Sequence, residues 1–468
     1  MPKRLIAALF MIGSWPVPAV AGATDARALS LGNAYSALAD EADMAAWNPA
    51  LLGLSRSKAK ILLFTAPSLH LGVGNNFLSY DSILNLLPDA HGNPRSLSEA
   101  NVKVLLSGLT EGSWQLALDG GLRAALAIPL LRTSIHFQAD ADVQGIGLPR
   151  GLLELLLSGN TSVKQLPLET LAGGKITSLA SVGISHAIPI PLPFGRQSAV
   201  GVTVRYLQGL AYATIPEASG SLLSSDADGK ISSNAYVRYL ATWPGATRNT
   251  FDLGQLLQLG QVGSGVAADL GFTNQWNEHI TWGITVGNLG YLRWHKVKDR
   301  IFTTYIEPFG GGFGLNGPAK LPDFNQAKKE INGPQDGKSN IDGGYPPFGR
   351  LGFAWSGALG FPPISKEPGF WNTPAMPITL TADLQQGFGT GYGISLNPEL
   401  RLGMEARPLG AFLPLRIGTT LGGNRPLAAV GIGLDISAFR LDIASGTMFG
   451  ILGNAKGSYF TLTSSLLF

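Results

Sequence analysis

The chain has 468 residues, of which 14% are charged and 61 are glycine, with no cysteine and a formal net charge of +3. Soluble chains carry about 25% charged residues and about 7% glycine, so an ordinary water-facing surface would be short of charge. The missing cysteines exclude disulfides, thiolate metal sites and a lipid-bearing cysteine, and the small net charge without a basic cluster excludes a nucleic-acid footprint.

Residues 1–23 read as a secretory signal peptide. Lys3 and Arg4 precede a short apolar stretch, Leu5 to Gly13. Pro16 and Pro18 follow, then Ala19-Val20-Ala21 and Ala21-Gly22-Ala23, which place a cut after Ala21 or Ala23. No later run reaches the roughly 18 apolar residues of a membrane helix. An exported, apolar, charge-poor chain without such a helix points to a closed membrane barrel, because lipid admits only helices and closed sheets.

Residues 24–56 form a separate segment. Its stretch "DMAAWNPALLGL" (43–54) is small and apolar and does not alternate like a strand. Pro49 removes a backbone donor and pushes Asn48 out of helical angles, so short helices must bend there. The Asn48 amide can bridge the freed backbone groups. Asn48, Pro49 and Ala50 are thus either a plain turn or a pin.

The barrel occupies 57–468. Strands are expected near 57–72, 115–128, 131–144, 175–187, 198–211, 262–275, 279–289, 349–358, 377–388, 398–408, 413–420, 427–436, 439–445 and 457–468. Every second connection is long: 73–114, 145–174, 212–261 and 290–348. Those between are mostly tight, which is the alternation of outer loops and periplasmic turns in a barrel. The connection at 359–376 departs from this, being long on the periplasmic side. Two outer-loop stretches read as helices. "SLSEANVKVLLSGL" sets Ser96 and Glu99 at capping-box spacing, and "PRGLLELLLSGN" runs from Pro149 to Gly159. The outer loops also hold apolar patches at Phe302, Tyr305, Phe309 and Phe313, suited to capture a lipophile.

The C-terminal third alternates most clearly. Leu400, Leu402, Met404 and Ala406 share one face, and Arg401, Gly403, Glu405 and Arg407 the other. Alternation alone fits a sandwich with its apolar face inside or a barrel with that face in lipid. In the barrel, Asp383, Arg401, Glu405, Arg407, Arg416, Asp435, Arg440 and Asp442 line the lumen. Four basic residues against four acidic favour cross-strand pairs that brace the wall and bind the N-terminal segment over a one-sign selectivity ring.

The chain ends "YFTLTSSLLF", with Phe460, Leu462, Leu466 and Phe468 on one face. This resembles the closing strand of bacterial outer-membrane barrels, which carries the signal read by the barrel assembly machinery. Catalytic signals are poor. His70, His91, His136, His186, His279 and His295 are scattered without metal-ligand spacing. "SDADGK" lacks the later glutamate of a calcium loop and reads as a turn. The chain is expected to be no enzyme and to need no cofactor or metal.

Three stretches carry a family likeness. "ARALSLGNAYSALADEADMAAWNPALLGL" (26–54), "AVGVTVRYLQGLAYA" (199–213) and "LRLGMEARPLGAFLPLRIGTTLGGNRPLAAVGIGLDI" (400–436) resemble the FadL/PorV-type outer-membrane proteins. The resemblance implies an all-β fold: a transmembrane antiparallel barrel of about 14 strands, with an N-terminal hatch of short helices in the lumen. It implies an integral outer-membrane location among outer-membrane lipids, and passive uptake of small hydrophobic compounds, fatty-acid-like or hydrocarbon, past the hatch at Asn48, Pro49 and Ala50. The alternative is a PorV-type scaffold that anchors or hands on an exported protein partner. The region 73–174 departs from the fatty-acid carriers and leaves the substrate open.

Overall fold

The computed structural model describes residues 25–54, 61–82, 107, 113–150, 165–167, 173–224, 230–244, 260–310, 337–359, 376–408, 412–424 and 426–468. In chain order its strands are β1 (Leu63–Asn75), β2 (Ser113–Ile128), β3 (Thr133–Pro149), β4 (Gln165–Pro167), β5 (Lys175–Ile190), β6 (Gln197–Ser224), β7 (Lys230–Thr242), β8 (Gly263–Gln275) and β9 (Ile280–Gly310). There follow β10 (Gly337–Asp342), β11 (Phe348–Leu359), β12 (Met376–Gly387), β13 (Glu399–Ala406), β14 (Leu415–Gly422), β15 (Leu427–Ile436), β16 (Phe439–Met448) and β17 (Gly457–Leu467).

Fourteen of these close a ring of antiparallel neighbours. The order runs β1, β2, β3, β5, β6, β8, β9, then β11 to β17, and β17 pairs back onto β1 with Leu63 opposite Leu467. The backbone N–H of Phe468 donates to the Leu62 carbonyl at 2.8 Å and completes the seam. No edge is left in the ring, which is what a sheet in lipid requires. Pro67, which cannot donate to a ladder, falls where the register of β1 slips between Thr65 and Ser68.

The exposure pattern decides between sandwich and barrel. Along β12, Leu380 is 45% and Leu384 50% exposed, while Thr381, Asp383 and Gln385 are buried. The same inversion holds along β13, where Leu400, Leu402 and Met404 face out and Arg401 and Glu405 face in. A sandwich in water would reverse it. An apolar outer belt around a polar interior is built to sit in lipid, so this is an integral membrane barrel. Among the described residues no helix is long and apolar enough to cross a membrane; the strands make the crossing.

Three strands, β4, β7 and β10, stand outside the ring at the end away from the β1–β17 termini. There β6 runs on to Ser224 and β9 to Gly310. β4 and β7 pair with the extension of β6, and β7 and β10 with that of β9. Within the expected loops at 212–261 and 290–348, residues 212–224, 230–242, 290–310 and 337–342 are therefore sheet. Beyond the lipid belt nothing enforces clean alternation, so the sequence pattern fades while pairing continues. The two expected loop helices lie almost entirely outside the described residues.

Residues 25–54 sit inside the ring. They comprise α1 (Ala26–Ser30), α2 (Met44–Trp47) and a 3-10 turn (Pro49–Gly53), nearly all buried. α1 packs on β14 to β17 and the 3-10 turn on β5, β6 and β8, so the segment touches opposite walls. Its apolar side chains, among them Tyr35, Met44, Trp47 and Leu51, make one core with wall residues Leu63, Ala125 and Ala187.

Candidate functional site

The lumen is occupied from one wall to the other. On the β12–β17 side the lumenal segment is held by charge. The Asp25 carboxylate accepts from the Arg27 N–H at 2.7 Å and caps α1. The Arg27 guanidinium reaches Asp40 at 2.6 Å and Glu405 at 3.1 Å, with Tyr35 beside it. Arg440 reaches Glu41 at 2.8 Å, Asp40 at 3.1 Å and Asp435 at 2.9 Å. Glu405 also takes Arg416 at 2.7 Å and Arg407 at 2.9 Å. Arg416 continues to Asp442 at 2.5 Å, and Arg407 to Asp435 at 2.9 Å.

Six of the eight lumenal charges read from the sequence thus join one network, and Arg27, Asp40 and Glu41 of the segment link it. Asp383 instead accepts the backbone N–H groups of Tyr35 and Ser36, at 3.2 and 3.0 Å. Arg401 pairs with Glu399 at 2.6 Å. The sequence reading did not name Arg27, Asp40, Glu41 or Glu399. Charges inside an otherwise apolar stretch were the available signal for the first three.

Burial and partners set the ionisation of the segment. Burial pushes Asp40 up, but Arg27 and Arg440 outweigh it and hold the carboxyl well below the usual range. Asp25 is raised by burial and by Asp43 and Glu41. Burial pushes Asp43 up to about 6, against the pull of Arg123 at 3.6 Å.

On the opposite side the contact is close and nearly uncharged. Asn48 is fully buried with extended backbone (φ −157°), and its carboxamide oxygen accepts from the Ala50 N–H at 3.0 Å. Its Nδ2 donates across to the Phe272 carbonyl of β8 at 3.0 Å. Asn48 therefore shapes the turn and also ties it to the wall. Two wall glycines make room: a Cβ on Gly271 would lie 2.1 Å from Asn48 Oδ1, and one on Gly201 would lie 2.4 Å from the Ala50 nitrogen. Pro49 and Ala50 are buried against this surface. Part of the glycine excess in the composition is this flat seat.

Above the segment the lumen keeps a cavity of about 90 Å³, room for roughly half a dozen waters. Its lining mixes apolar surface with charged side chains from several strands: Arg123 of β2, His136, Asp140 and Asp142 of β3, Arg205 of β6, Asp269 of β8 and Arg350 of β11. Arg205 bonds Asp269 at 2.7 Å and the Tyr345 hydroxyl at 3.1 Å. Nearer the far end, Trp294 stacks on Tyr212 at 5.2 Å within an apolar cluster of Leu179, Leu207, Leu292 and Tyr392. Of the expected capture residues, Phe302, Tyr305 and Phe309 lie in β9, not in a loop, opposite Val237, Asn234 and Ile231 of β7. Phe313 falls outside the described residues. Phe460, Leu462 and Phe468 face outward on the last strand, with Leu466 half-buried. Among the described residues no group of three His, Asp or Glu side chains is placed to hold a metal.

A family model matches residues 49–331, more than half of the chain. The chain belongs to that family, DUF5723, a family of unknown function. The comparison with curated proteins returned no match. Among solved structures, this DUF5723 chain is similar to a CymD monoaromatic hydrocarbon channel, at 11% identity and TM-score 0.45, over 96% of this chain and 98% of that one. It is also similar to a Pseudomonas aeruginosa FadL homologue (12%, 0.43, over 97% and 99%) and to the Pseudomonas putida toluene transporter TodX (10%, 0.40, over 96% and 98%). What the present chain does is read from its own lumen.

Proposed function

We propose that this protein is an outer-membrane channel for passive uptake of small hydrophobic compounds, shut at rest by residues 25–54 acting as a hatch. The far end, with the extended β6 and β9, faces outside, and the seam end faces the periplasm. One observation carries the gate: the segment fills the lumen yet adds no strand to the ring. It is held by side chains and glycine seats, so it can shift without breaking a single ladder bond. The aromatic cluster around Trp294 supports the hydrophobic class, since apolar burial there favours capture. The charged cavity below it limits the cargo to compounds small enough to pass with little desolvation. The PorV-type reading keeps the same barrel with an immobile hatch and a protein partner. Uptake of labelled toluene, decane and a medium-chain fatty acid into cells with and without the protein tests the proposal. Equal uptake across the panel would refute transport.

A further inference from the structure

The charged cavity is more than a hydrophobic cargo requires, and one side chain in it stands out. Arg350 is 7% exposed and lines the cavity, with its guanidinium between the rings of Trp47 at 5.3 Å and Phe348 at 5.0 Å. Its Nε and Nη2 donate to Gln385 Oε1 at 3.0 and 2.6 Å, and Nη1 to the Trp47 carbonyl at 3.4 Å. All three bonds go to neutral acceptors. Every other arginine at the cavity has a carboxylate within 4 Å: Asp43 for Arg123 and Asp269 for Arg205. Arg350 has none among the described residues. Asp383, Glu399 and Asp269 act on it only from farther off, and a buried guanidinium with no carboxylate in contact is costly unless something else compensates it. The two rings fix its plane, and two of its five N–H groups, one on each Nη, remain unspent.

The rest of the lining adds donors. Arg123 Nε and Arg205 Nε are buried without a hydrogen-bond partner, and the Tyr392 hydroxyl is another. The unmatched acceptor there, Asp140 Oδ1, lies 2.7 Å from where a Cβ on Gly121 of β2 would be, turned toward the wall. Asp140, Asp142 and Asp269 also line the cavity, but spare N–H donors around a guanidinium that no carboxylate touches are complementary to a small oxyanion.

We propose that this cavity binds a small oxyanion of the carboxylate class, with Arg350 as its anchor. The volume suits a few heavy atoms. The site goes beyond the transport reading, and its test needs no passage. Purified full-length barrel in detergent is titrated calorimetrically with acetate, propionate, sulfate, acetamide, methylammonium and octanoate. Acetate and propionate are expected to bind at least tenfold more tightly than acetamide, their neutral isostere, and methylammonium is expected not to bind. Sulfate weaker than acetate supports a planar carboxylate, and sulfate tighter than acetate overturns that assignment. Arg350→Gln should cost at least tenfold in acetate affinity, and Arg350→Lys should restore part of it, with both variants keeping the heat-modifiable mobility of a folded barrel. Acetamide matching acetate, Arg350→Gln matching the parent, or no heat with any probe overturns the proposal. So does affinity that climbs from propionate to octanoate, since the site would then be one end of an amphiphile path. The wild-type panel decides the matter even if a variant fails to fold.

Discussion

Truncating Asn48 to alanine tests the hatch at its least charged contact. Two bonds are lost at a fully buried position: the cap from the Ala50 N–H and the tie to the Phe272 carbonyl, each 3.0 Å. An orphaned buried donor costs about 1–3 kcal/mol, and the net loss of the second bond adds about 0.5–1.5 kcal/mol. The seated hatch should therefore lose roughly 3 kcal/mol relative to a displaced one, about a hundredfold in the ratio of closed to open. Asn48→Asp keeps the acceptor but buries a carboxylate against the Phe272 carbonyl, so it should unseat the segment at least as strongly as alanine. Gly271→Ala reaches the same contact from the wall, with a methyl 2.1 Å from Asn48 Oδ1. The assay is conductance of purified barrel in planar bilayers. Open events should be rare in the parent, frequent in Asn48→Ala and Gly271→Ala, and at least as frequent in Asn48→Asp. Parent-like conductance in Asn48→Ala and Gly271→Ala, with the barrel still folded, would mean that Asn48 only bends the chain.

Arg27→Met should cost about 3–5 kcal/mol of hatch seating, because it strands Asp40 and Glu405 without one of their cations; protease cleavage within residues 25–54 of folded barrel should then appear where the parent resists. Asp43 supplies a pH test with a definite sign: its seated value of about 6 lies above the free value near 4, so its contribution is full below about pH 4 and is lost as pH rises through 6, by up to roughly 3 kcal/mol. Asp25 works in the same direction, whereas Asp40, held low, loses its contribution only under stronger acid. Conductance should rise between pH 4.5 and 7.5, and Asp43→Asn should flatten that rise. Leu402→Arg on the outer belt should lower barrel stability by about 2–4 kcal/mol in lipid; a neutral result in urea titration would place that face outside the bilayer. Phe468→Ala keeps the backbone seam but should reduce the folded barrel recovered from outer membranes, because the assembly machinery would read the side chain.

The ring was legible because lipid enforces it. Each crossing must alternate, and Leu400, Leu402 and Met404 against Arg401 and Glu405 could be read directly. The arms of β6 and β9 were not, since strand beyond the belt is free of that rule; Pro216 and Glu217 even mark a slip in the β6–β7 register. Within the lumen the wall charges were visible as a face, but their partners were not. Arg27 meets Glu405 across 378 positions of chain, and no local period encodes that. The cavity was least visible. Arg123, His136, Arg205 and Arg350 each sit in an expected strand, and only the closure and stagger of the ring bring them to one place.

The length of β9 has a further consequence. Its 31 residues would extend about 100 Å, while roughly ten suffice to cross lipid. The surplus, paired with β7 and β10, carries a hydrogen-bonded wall beyond the lipid belt on the β6–β9 side of the ring. A rim of loops can fold over and close a channel from outside. A hydrogen-bonded wall resists folding over, so on the proposed uptake reading this side of the mouth stays fixed and gating rests with residues 25–54 below.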